Sequence, residues 1–100
     1  MTRFAISVEL KAKPGKEEEV AAFLISARPL VVAEPGTVTW FASRVDSDTF
    51  ALFDAFETEA ARQAHLNGQV AAALMARADE LFSAPPTIRL CEVLADKLPA

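Results

Sequence analysis

The sequence predicts a ferredoxin-like α+β fold, the split βαβ order β-α-β-β-α-β with a four-stranded antiparallel sheet and its helices on one face. Three observations predict it. Period-two alternation runs through residues 4–11, helical spacing through residues 16–28 and 58–82, and the short polar loop Asp46-Ser47-Asp48 joins the second strand to the third as a hairpin.

In the first strand Phe4, Ile6, Val8 and Leu10 alternate with Ala5, Ser7, Glu9 and Lys11, so one face is strongly apolar. Pro14-Gly15 ends it. The first helix spaces Val20, Phe23, Leu24 and Ala27 along one stripe and carries Glu17, Glu18 and Glu19 near the positive end of its dipole. Pro29 offers no N–H to the carbonyl of Ile25, so this helix either stops near Arg28 or kinks and continues towards Glu34. Pro35-Gly36 is a turn signal, and residues 37–45 are rich in β-branched and aromatic side chains, the second strand. The third strand, residues 49–56, is partly apolar on both faces. Thr58 suits the N-cap of a helix running to Leu66, Asn67-Gly68 interrupts it, and residues 69–82 resume with Val70, Leu74, Ala78 and Leu81 on one stripe. Ser83-Ala84-Pro85-Pro86 ends that segment, and residues 87–94 form the fourth strand.

Residues 1–100 suffice for a single domain with one core. Hydrophobic residues make up 52%, and the net charge of −4 comes without a basic cluster, which argues against nucleic acid as a partner. No apolar run is long enough to span a membrane, and residues 1–6 lack the pattern of a signal peptide, so a cytoplasmic protein is expected. Cys91 is the only cysteine, which leaves no intrachain disulfide or thiolate zinc site. Because the third strand needs cover on both faces, a homodimer joined through the open face of the sheet is expected.

His65 is the only histidine, and the chain has no tyrosine, so few other side chains can move a proton near pH 7. Its helical spacing turns it inward, either as a hydrogen-bonded core residue or as part of a pocket. Ala61, Ala64 and Gly68 on the same face are small and leave space beside the imidazole. Asp54 follows Phe50 and Leu52 on one strand face, an awkward place for an unpaired carboxylate. It either binds one imidazole nitrogen, leaving the other for a ligand, or pairs with Arg44 or helix amides. Trp40 and Phe41 lie on opposite faces of their strand, and Trp40 is favoured to line the pocket because its indole combines a flat surface with one donor. Asn67 is expected at the pocket rim.

Lys13-Pro14-Gly15-Lys16, Ala33-Glu34-Pro35-Gly36-Thr37, Phe53-Asp54-Ala55-Phe56 and Ala64-His65-Leu66, in this order and spacing, resemble the antibiotic biosynthesis monooxygenase-like family of dimeric α+β barrels. The resemblance implies a homodimer whose sheets meet face to face, with a pocket in each subunit for a small aromatic ligand. It implies a cofactor-independent monooxygenase that oxidises a quinol-type substrate with O2, using no metal or flavin; a neutral imidazole suits the proton transfer this needs, which makes His65 the candidate base, with Asp54 orienting it if the two are bonded. A non-catalytic small-ligand-binding or stress-associated dimer is the alternative. Haem-degrading relatives carry a first-strand asparagine and a second-helix histidine, but this chain has no asparagine around Ser7 and Val8 and no histidine in residues 70–76. The second histidine of many quinol-oxidising relatives falls near Val70 and is also absent.

Overall fold

The alternation of Phe4, Ile6, Val8 and Leu10 becomes one face of β1 (Phe4–Lys11) in the computed structural model, which describes residues 2–99. Helix α1 (Glu17–Ser26) and the short α2 (Arg28–Val32) lead into β2 (Thr37–Arg44) and β3 (Thr49–Phe56). The chain continues through α3 (Glu59–Leu66), α4 (Gln69–Ala76) and α5 (Ala78–Leu81) to β4 (Thr87–Glu92). Every strand pairing is antiparallel and the spatial order is β2-β3-β1-β4, the ferredoxin-like α+β arrangement. Among the described residues no helix is long and apolar enough to cross a membrane.

Directly opposed residues of an antiparallel pair share a face, so the register assigns the two sides of the sheet. On one side Ile6 opposes Asp54, Val8 opposes Leu52 and Leu10 opposes Phe50, while Trp40 opposes Asp54 from the other neighbour. Val20 and Leu24 of α1, Leu74 of α4 and Leu81 of α5 close over that face in one core cluster. Each such large side chain contributes roughly 1.5–3 kcal/mol when withdrawn from water. The opposite face is open: Phe41 opposes Phe53 there, and they remain 63% and 43% exposed.

Three segment ends differ from, or decide between, the sequence expectations. At Pro29 the helix kinks and continues: α1 stops at Ser26, and α2 places Pro29 in its first turn, where a missing N–H costs nothing. Residues 69–82 are not one helix, because Arg77 (φ −105°, ψ 4°) separates α4 from α5. Beyond that bend Leu81 and Phe82 enter the core, and Phe82 bridges Ala12. Strand β4 ends at Glu92 and not Leu94, since its partner β1 begins at Phe4, opposite Glu92. One last bond, Val93 N–H to the Arg3 carbonyl at 3.0 Å, follows it.

The turn between α2 and β2 lies tightly on α3. A Cβ added at Gly36 would stand 2.7 Å from the Ala61 Cβ, so glycine permits this approach and brings the preceding Glu34 against α3.

Candidate active site

Helix α3 begins at Thr58, whose Oγ1 accepts the Ala61 N–H at 3.1 Å and so satisfies one of the helix's free amide groups. Its last turn carries His65 towards β3, with the imidazole centroid 5.5 Å from the Phe56 ring. His65 Nε2 lies 2.9 Å from Asp54 Oδ2, and Nδ1 lies 2.6 Å from Glu34 Oε1. The Thr37 hydroxyl donates to the same Glu34 oxygen at 2.7 Å. One imidazole therefore ties together the α2–β2 turn, β3 and α3.

A carboxylate on each ring nitrogen requires both nitrogens to donate, which is the imidazolium form. Burial works against that charge, but the hydrogen bonds of Asp54 and Glu34 outweigh it and hold the His65 pKa above its ordinary 6.5. For Asp54, burial pushes the carboxyl above its ordinary 3.8, only partly offset by the hydrogen bond and charge of His65.

The expected contact between Asp54 and His65 is present, but the expectation of a second, free imidazole nitrogen is corrected by Glu34. The space expected beside Ala61, Ala64 and Gly68 is likewise filled. Gly36 packs on Ala61, and a Cβ at Gly68 would stand 3.2 Å from Glu34 Oε2. Small residues on α3 thus admit the neighbouring turn. Arg44, the alternative partner for Asp54, pairs with Glu18 at 3.2 Å.

Trp40 lies on the helix-covered face and packs against both core clusters, while Phe41 takes the open face, as the pleat demands. Among the described residues, two buried polar atoms in this region meet no hydrogen-bond partner: Trp40 Nε1 and Asp54 Oδ1. One is a donor and the other an acceptor, on residues directly opposed across β2 and β3. Thr37 and Trp40 also line a cleft of about 220 Å³ whose other walls are Arg28, Val31, Val32 and Val38. Asn67 caps the end of α3 through its N–H to the Gln63 carbonyl at 3.0 Å. Among the described residues no hydrogen bond joins its side chain to the His65 cluster.

Residues 3–77 match the antibiotic biosynthesis monooxygenase family. The chain belongs to that family. Of the solved structures it resembles, a protein of unknown function from Nitrosomonas europaea is 59% identical, with a TM-score of 0.97 over 100% of this chain and 97% of that one. A provisionally named antibiotic biosynthesis monooxygenase from Nitrosomonas europaea shares 17% identity, with a TM-score of 0.81 over 92% of this chain and 90% of that one. A protein from Pseudomonas aeruginosa shares 22%, with a TM-score of 0.80 over 95% and 97%. The last two likenesses speak to the fold alone. None of the curated proteins matches the chain.

Glu34 is the residue of the candidate site that sequence reasoning missed. It stands 31 positions from His65, and its only local signals are the Pro35-Gly36 turn behind it and Thr37 three residues on. Among the described residues no group of three His, Cys, Asp or Glu is placed to hold a metal ion. In the cluster at hand the two carboxylates take opposite ring nitrogens, so their oxygens do not converge on one point.

Proposed function

We propose that the chain is a cofactor-independent monooxygenase that oxidises a small hydroxylated aromatic of the quinol type with O2. The observation that carries this reading is Asp54: one oxygen is held by His65, and the other, Oδ1, is buried and unpartnered opposite the unpartnered indole N–H of Trp40. A substrate hydroxyl between them donates to Oδ1 and accepts from Nε1. Asp54 then acts as the base, strengthened by the burial that raises its pKa. His65 positions it, Trp40 holds the aromatic ring, and Asn67 is assigned to the rim.

Loss of the hydroxyl proton to Asp54 leaves an electron-rich anion that passes one electron to O2. The resulting radical pair joins at a ring carbon that bore hydrogen, and the proton held by Asp54 returns to the peroxide to give a hydroperoxide. Elimination of water leaves a quinone, so one oxygen atom enters the product, the other enters water, and no external reductant is consumed. Membership of the monooxygenase family supports this reaction class.

A non-catalytic small-ligand-binding protein is the second reading, favoured by one observation: both nitrogens of the sole histidine are engaged. Oxygen-electrode measurements on a panel of phenols and hydroquinones separate the two. The monooxygenase consumes O2 in proportion to quinone formed; ligands that bind without oxygen uptake decide for the binder.

We also propose a homodimer that covers Phe41, Phe53 and the neighbouring Ala51 on the open face of the sheet. Sedimentation is expected to show a species near twice the 10.8 kDa chain mass. A stable monomer at micromolar concentration would remove this assembly.

A further inference from the structure

We propose that the cleft between α2 and β2 binds a small aromatic carboxylate, with its ring against Trp40 and the valines and its acid group on the Arg28 guanidinium. The cleft of about 220 Å³ lies below the roughly 300 Å³ at which drug-sized pockets begin, so it suits one ring with one substituent and excludes a polycycle. Its apolar walls are incompletely covered: Val32 and Val38 remain 66% and 46% exposed although both flank a tryptophan. Its charge is also unanswered. Arg44, Arg62 and Arg77 each hold a carboxylate, at 3.2, 2.5 and 3.1 Å, whereas Arg28 has no hydrogen-bond or ion-pair partner among the described residues. A guanidinium at the edge of a slot walled by valines and a tryptophan accepts a carboxylate by two parallel N–H···O bonds and tolerates a flat ring beside it. An unpaired cation in a chain of net charge −4 selects against neutral ligands of the same shape.

The cleft is coupled to the proposed active site through its wall. Thr37 lines it and donates to Glu34, which in turn binds His65, while Trp40 lines it and opposes Asp54. As a statement of substrate class, a hydroxybenzoate-like acid, the inference rests on the oxidation proposed above. Binding and oxygen uptake are therefore measured separately, so that either fails alone.

Trp40 is the only tryptophan and there is no tyrosine, so the intrinsic emission and the single indole ¹⁵N–¹H resonance both report this cleft. The full chain is titrated with benzoate and with benzamide, its neutral counterpart. Benzoate is expected to move the indole resonance with a Kd of about 1 mM or tighter, and benzamide to bind several-fold more weakly. Arg28→Gln is expected to weaken benzoate about five-fold and leave benzamide unchanged, the range for an exposed to half-exposed bidentate pair. Arg28 is exposed, so the variant's remaining resonances should superimpose on the parent's. On the unmodified protein, added salt should weaken benzoate but not benzamide. Equal affinity for the two probes, an unchanged Arg28→Gln, or no indole shift up to about 10 mM benzoate overturns the proposal. Benzoate binding with these signatures and no oxygen uptake upholds the site and overturns only the oxidation.

Discussion

Replacing His65 by glutamine is expected to destabilise the fold by about 3–5 kcal/mol, the cost of removing one member of a buried charged cluster. The glutamine amide reaches one carboxylate at best. It leaves Asp54, 3% exposed at its side chain, or Glu34, 21% exposed, without its counter-charge. Chemical denaturation of parent and variant measures the loss, and a difference under about 1 kcal/mol would mean that the cluster adds nothing net.

The pH dependence gives a second reading of the same cluster. His65 has its folded pKa raised above 6.5, so its contribution is fully present below the unfolded value and is lost as pH rises through the folded one. Asp54 is raised as well, above 3.8, and its ionisation likewise costs the folded state as pH increases. Both effects have the same sign. The parent's denaturation midpoint is therefore expected to fall as pH rises beyond the ordinary 6.5 of histidine, with a flatter profile in His65→Gln.

Asp54→Asn is expected to lower turnover by about 10²–10⁴-fold, the range for losing a positioned general base. The amide has nearly the shape of the carboxylate but no basic oxygen to take the hydroxyl proton. Binding of the aromatic, read at Trp40, should survive, because the indole N–H and the cleft walls are untouched. In the parent, kcat should fall on the acid side as Asp54 is protonated, at a pH above the ordinary 3.8 of an aspartate because burial has raised it. This limb should vanish in the residual activity of Asp54→Asn. Full activity in the variant would place the base elsewhere, and a limb that follows His65→Gln instead would return the role to the imidazole.

Where one residue's neighbours decide its state, the sequence was sufficient. The alternation of residues 4–11, the hairpin at Asp46-Ser47-Asp48 and the Thr58 cap each follow from local chemistry, and each is found where expected. The inward turn of His65 was also legible, and so was the need of Asp54 for a donor on an apolar strand face, but the sequence left His65, Arg44 and helix amides open as that donor. The break at Arg77 was not, since neither glycine nor proline marks it; the core's demand for Leu81 and Phe82 decides the bend.

By itself, then, the sequence determined the order of elements and which face of each is apolar, and it singled out His65 and Asp54 as candidates. These are short-range consequences of periodicity, caps and desolvation. Only the tertiary structure decided that Glu34 claims the second nitrogen of His65, that the small residues of α3 admit a turn and not a ligand, and that Arg28 stands beside Trp40 with no partner among the described residues. Each depends on how closely segments separated along the sequence approach, and that distance is set by packing of the whole core, to which no local pattern is sensitive.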